Sequence, residues 1–146
     1  MIKDEHSIEI ERPLHDVFLF VSDLATLPEY DRYVESVTRT SDGPISAGAT
    51  WSHRRVQGKR RIVAPIRFTE YVPDQKFVMV SGSKGFDVRS TMSFAVSGTG
   101  TKVSEMLEMR LSGMPRLLEP VIRKQVPKQL AEVHERLKRV LESKGS

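Results

Sequence analysis

The chain has 146 residues, a formal net charge of +4 and no cysteine, which allows one hydrophobic core and excludes disulfides, thiolate metal sites and a cysteine nucleophile. No stretch approaches the roughly 20 apolar residues of a membrane span, and asparagine is absent, so there is no N-glycosylation acceptor. The charge is uneven: residues 1–31 hold eight acids against Lys3 and Arg12, whereas Arg54–Arg67 holds six bases and no acid. That basic stretch carries no recognised nucleic-acid motif, so nucleic acid is not an expected partner. A single domain over residues 1–146, in the cytoplasm, is the expectation; oligomeric state is not readable.

Ser7–Glu11 alternates, with Ile8 and Ile10 on one face, and predicts a first strand. Pro13 suits the first turn of a helix with the stripe Val17, Phe18, Phe20, Val21 and Leu24. Asp23 and Pro28 interrupt it and predict a second short helix ending near Tyr30. Tyr33–Thr40 reads as a strand, Ser41–Pro44 as a turn, and Gly48 precedes the next strand. With Gln57-Gly58 as a turn, Trp51 faces Ala64, His53 faces Ile62 and Arg55 faces Arg60. The other side then sets Arg54 against Arg61, a repulsive pair in need of an anion or an acidic neighbour. With Pro73-Asp74 as the next turn, Phe68 faces Met79 and Glu70 faces Phe77.

Gly98-Thr99 gives the most constrained hairpin. Phe94 then faces Val103, Met92 faces Glu105, Ser90 faces Leu107 and Val88 faces Met109, a nearly apolar face. The opposite face pairs Arg89 with Glu108 and Asp87 with Arg110. A one-residue slip would destroy both patterns. The last helix is predicted from Met114 to about Ser143, on the stripe Leu117, Leu118, Val121, Ile122, Val126, Leu130, Val133, Leu137, Val140 and Leu141. Pro127 should kink it and Gly145 should end it.

The strand parities put Trp51, His53, Arg55, Arg60, Ile62, Ala64, Ile66, Phe68, Glu70, Phe77, Met79, Ser81, Val88, Ser90, Met92, Phe94, Val103, Glu105, Leu107 and Met109 on one inner face. Many apolar groups with a few convergent polar ones are the make-up of a small-molecule pocket. Glu105 stands out: an inward carboxylate in mid-strand is costly without a partner. It is either a general base or a structural partner of His53, Arg55 or the first strand. His53 and Arg55 could polarise a carbonyl or hold a carboxylate. His6, His15, His53 and His134 are scattered, with no pair at metal-ligand spacing, so neither a metal nor a cofactor is expected.

The order of elements resembles the START-like (SRPBCC) superfamily, in its polyketide cyclase/dehydrase and lipid-transport branch. The resemblance lies in Ile8–Pro13, Val17–Asp23 with Pro28–Tyr30, Gly48–Trp51, Glu70–Pro73, Gly98–Thr101 and Leu137–Glu142. It implies an α+β helix-grip fold. Seven antiparallel strands curve around a long C-terminal helix, two short helices sit between strands 1 and 2, and a cavity lies between sheet and helix. The ligand-binding residues expected on this reading are Trp51, His53, Phe68, Met79, Ser90, Met92, Glu105, Met109, Leu118 and Ile122. The first functional expectation is binding or transport of a hydrophobic small molecule, lipid-like or polycyclic. The second is a polyketide cyclase or dehydratase that uses His53, Arg55 and Glu105. The third is an interaction module presenting the basic hairpin face, Arg54–Arg61, to a macromolecule.

Overall fold

The computed structural model describes residues 1–83, 85–112 and 116–145, and the side chains of all of these except Gln57 and Ser83. Strand β1 (Ile2–Ile10) leads into helix α1 (Leu14–Ser22), a 3-10 turn (Leu24–Thr26) and helix α2 (Leu27–Tyr30). Six strands follow, β2 (Val34–Arg39), β3 (Thr50–Gln57), β4 (Arg60–Val72), β5 (Lys76–Ser83), β6 (Phe86–Ser97) and β7 (Gly100–Leu111), before helix α3 (Glu119–Lys144). The strands form one antiparallel sheet in the order β1-β7-β6-β5-β4-β3-β2. The sheet, the long C-terminal helix and the short helices between the first two strands are the helix-grip architecture that the resemblance implies.

The β6–β7 ladder has the expected register throughout, with Arg89 opposite Glu108, Asp87 opposite Arg110 and Met92 opposite Glu105. The β3–β4 ladder is shifted by two residues from the expectation. Its turn is Gly58-Lys59, with Gly58 at φ +60°, so Trp51 faces Ile66, His53 faces Ala64 and Arg55 faces Ile62. Arg54 therefore lies opposite Val63, and the expected Arg54–Arg61 repulsion does not exist. Arg61 instead meets Glu35 on β2 at 2.9 Å. In the β4–β5 ladder Phe68 faces Met79 as expected, but a bulge at Thr69 moves Glu70 opposite Val78. Glu70 thus leaves the inner face and pairs in solvent with Lys76 at 3.0 Å.

The start of the long helix also differs. Met114 lies outside the described residues, Leu117 and Leu118 precede the helix, and α3 begins at Glu119 with Pro120 in its first turn. Proline suits that place because the missing N–H would have no intrahelical partner there. Helix α3 continues through Pro127 and is capped by Gly145, whose N–H reaches the Glu142 carbonyl. At the β6–β7 turn, Gly100 lets β7 press against the end of β1, where any Cβ would collide with the Ile10 carbonyl oxygen.

Aromatic rings close one end of the molecule. Phe68 lies 4.6 Å from Trp51 and 4.7 Å from Phe77, and Phe18 of α1 meets Phe94 at 5.1 Å, all centroid to centroid. Leu137 and Leu141 of α3 belong to the same core. The buried positions Val126, Leu130, His134, Leu137 and Leu141 recur every three or four residues, the spacing of one helix face. One of the five is a histidine.

Candidate functional site

Beyond the aromatic end, sheet and helix do not meet fully, and a cavity of about 520 Å³ separates them. Of the residues expected to hold a ligand, His53, Met79, Ser90, Met92, Glu105, Met109 and Ile122 line it. Trp51 and Phe68 share the strand parity of this wall but pack into the closed aromatic core, each almost fully buried and outside the cavity lining. Leu118 sits before the helix and is exposed. The α2 end contributes Tyr30 and Asp31, which the sequence reading did not select.

The polar centre of the cavity is built on Glu105. Its neighbour across the β1–β7 ladder is His6, and His134 of α3 joins the two. His134 Nε2–H donates to one Glu105 carboxylate oxygen at 2.8 Å, and the Ser90 hydroxyl donates to the other at 2.5 Å. His134 Nδ1 meets His6 Nδ1 at 3.0 Å, and the rings are edge to face. A neutral His134 accepts at Nδ1 from His6; a protonated His134 donates from both nitrogens and His6 accepts. The chain Ser90–Glu105–His134–His6 holds in both states. It reaches from the cavity wall to the edge strand, because His134, Glu105 and Ser90 line the cavity and His6 does not.

The inward carboxylate therefore has its partner, but it is neither His53 nor Arg55. Residue type alone did not single out His134. The usable signal was its position on the buried stripe of α3, where a 1 % exposed imidazole needs a hydrogen-bond acceptor. Arg55 approaches Asp31 at 3.5 Å and lies over the Tyr33 ring at 5.9 Å. Its guanidinium is thus held at the cavity wall by a carboxylate and an aromatic face. His53 Nδ1 donates to the Ala64 carbonyl at 3.1 Å, which leaves Nε2 with a lone pair and no protein partner among the described residues. Burial pushes the Tyr30 phenol well above its ordinary range, with the Asp31 and Glu105 charges adding to the effect, so it remains an O–H donor. Among the described residues no cluster of ligating side chains could hold a metal ion.

Two of these imidazoles are less basic than usual. Burial lowers His53 below 6.5, and the nearby Arg55 charge adds to this. Burial also lowers His6, helped by His134 and opposed by Asp4, Glu105 and Glu135. Below 6.5 the unfolded chain binds protons that the native imidazoles refuse. Their contribution to stability is therefore complete above that value and is lost as pH falls through the native pKa values. The melting temperature is expected to decline from about pH 7 to about pH 5.5, and His53→Gln should flatten the slope. A melting temperature that stays level over that range would contradict this.

A second depression, of about 620 Å³, lies among Met1, Arg67, Asp87, Arg89, Glu108 and Arg110, on the side of the sheet away from α3. Across it, in the β6–β7 ladder, Arg89 lies opposite Glu108 and Asp87 opposite Arg110. It is more open to solvent than the cavity under α3 and would enclose a small molecule less.

A family model described as polyketide cyclase / dehydrase and lipid transport matches residues 1–142. No curated protein matches the chain. Among solved structures, a START superfamily protein from Mycobacterium smegmatis is similar at TM-score 0.78 and 14% identity, covering 97% of both chains. The protein TTHA0849 from Thermus thermophilus is similar at TM-score 0.75 and 22% identity, covering 97% of this chain and 94% of that one. One half of the di-domain ARO/CYC BexL, from the BE-7585A biosynthetic pathway, is similar at TM-score 0.77 and 18% identity, covering 97% of this chain and 47% of that one. These identities show a common fold. The family match supports a role in binding a hydrophobic ligand, and among the described residues no helix is long and apolar enough to cross a membrane. On a match that spans almost its whole length, the chain belongs to the polyketide cyclase / dehydrase and lipid transport family.

Proposed function

We propose that this protein binds and carries a hydrophobic small molecule, lipid-like or polycyclic, in the cavity between the sheet and α3. The observation that carries the reading is the cavity itself. Its size lies within the roughly 300–1,000 Å³ of ligand pockets, and its wall is mainly aliphatic and thioether, with Met79, Met92 and Met109 able to adapt to ligand shape. The Glu105–His134 pair, Tyr30 and His53 are the polar groups that would fix a hydroxyl or carbonyl of the ligand.

A second reading, an aromatic polyketide cyclase or dehydratase, is favoured by one observation. A carboxylate–imidazole pair, His53 and Arg55 line the same cavity. There Glu105 would take a proton from carbon next to a ketone while the Arg55 guanidinium steadied the developing oxyanion.

Native mass spectrometry of the freshly purified protein tests the first reading. An added mass that leaves on denaturation, and that hydrophobic extraction identifies as lipid-like or polycyclic, is the expected result. Protein that stays empty when offered both a fatty acid and a polycyclic phenol would contradict it.

A further inference from the structure

At the end of the sheet that carries the β3–β4 turn, which borders the cavity together with the first turns of α3, the cavity reaches solvent. Exposed Gly58, Arg60 and Gln125 are part of its wall there, beside Ile122 and Phe86. Around this mouth the chain leaves aliphatic groups in water: Leu117 is 87 % exposed, Val121 49 % and Leu118 44 %. Contiguous exposed apolar groups on a globular domain usually mark a contact surface.

The same rim is cationic. Arg116, Lys124 and Lys128 are exposed and form no ion pair among the described residues, and Lys59 and Arg60 add two more cations from the β3–β4 hairpin. Glu119 is the sole carboxylate between residues 116 and 128, and Arg123 holds it at 2.7 Å. On α3, Val121, Lys124 and Lys128 follow at three and four residues and so share one stripe. Ile122, Val126 and Leu130 turn to the other side, toward the cavity.

We propose that this rim docks on an anionic lipid bilayer. Leu117, Leu118 and Val121 enter the boundary between headgroups and acyl chains, and the surrounding cations face lipid phosphates. Charge complementarity selects this occupant. A second copy of the chain would set cation against cation, and nucleic acid would find aliphatic side chains where such surfaces interleave cations with stacking aromatics. The docked mouth opens onto the bilayer, so a hydrophobic ligand could pass between cavity and membrane without crossing water. That last consequence rests on the binding reading above; the docking does not.

Co-sedimentation with phosphatidylcholine vesicles, with and without phosphatidylglycerol, tests the proposal. Binding should require phosphatidylglycerol and weaken as salt rises. The double variants Leu117→Ser/Val121→Ser and Lys124→Glu/Lys128→Glu, all at exposed positions, should each reduce partitioning by roughly tenfold or more. Lys102→Glu, exposed near the β6–β7 turn at the far end of the sheet, should leave it unchanged. Equal binding to pure phosphatidylcholine, or equal weakening by Lys102→Glu, would overturn the proposal. So would absence from vesicles together with retention of a single-stranded oligonucleotide. Ligand occupancy read by native mass spectrometry is independent of vesicles, so failure of docking is distinguishable from failure of the binding reading.

Discussion

Replacing His134 with alanine is expected to destabilise the protein by about 3–5 kcal/mol, from the void left by a buried ring together with the donor lost by a buried carboxylate. The substitution deletes a side chain that is 1 % exposed and leaves two groups behind. Glu105 keeps Ser90 but loses the donor to its second oxygen, and His6 Nδ1 loses its only partner among the described residues. Glu105→Gln is expected to cost only about 1 kcal/mol, because the amide oxygen can still accept from His134 while its NH₂ donates to the Ser90 hydroxyl. Replacing both partners, Glu105→Met with His134→Leu, should recover most of the loss, less about 1 kcal/mol for the buried Ser90 hydroxyl. Urea unfolding of the four proteins checks the series. A cost below about 1 kcal/mol for His134→Ala would mean that the chain from Ser90 to His6 is not what stabilises the inward carboxylate. The same Glu105→Gln protein separates the two functional readings. A carrier keeps its ligand affinity within a small factor, whereas a cyclase loses turnover with stability nearly intact.

Phe68→Ala is the other large effect, expected at about 3–5 kcal/mol. Phe68 is fully buried and touches Trp51, Phe77 and Tyr71, so the missing ring leaves a void among stiff aromatic neighbours that cannot collapse into it. Phe68→Leu should cost less than half as much. Because Phe68 lies outside the cavity lining, affinity for a bound ligand should be preserved wherever the variant remains folded. Thermal unfolding with and without ligand checks both halves. A small stability loss with a large affinity loss would place Phe68 on the ligand instead of in the core.

Patterns with two independent faces were legible from sequence. The β6–β7 register followed from apolar residues on one face and opposite charges on the other, and a slip would have spoiled both. The β3–β4 hairpin lacked that second constraint. A shift of two residues keeps every side chain on its face, so alternation cannot detect it, and the turn is decided by Gly58 at φ +60°. The bulge at Thr69 was hidden because the parity it reverses, from Glu70 onward, covers only the last stretch of β4 before the turn, to Val72. That run is too short for alternation to show, which is why Glu70 was misplaced. Parity also fails to tell cavity from core. Trp51 and Met79 both point inward, but the first is packed by Phe68 whereas the second faces empty space. Glu105 was legible as a residue in need of a partner. Its partner was not, because His134 comes from a helix whose packing against β1 is a tertiary fact.

The central claim is that the cavity under α3 takes a hydrophobic ligand, and methionine methyl groups report on it directly. Met79 and Met92 line the cavity alone and Met109 borders both the cavity and the outer depression, while Met106 lies on the opposite strand parity and Met1 borders the outer depression only. With ¹³C-methyl methionine, titration with a polycyclic probe such as anilinonaphthalene sulfonate, followed by NMR, is expected to shift the Met79, Met92 and Met109 resonances together. Met1 and Met106 should stay in place. Shifts confined to Met1 and Met106, or none at a saturating probe concentration, would contradict the account.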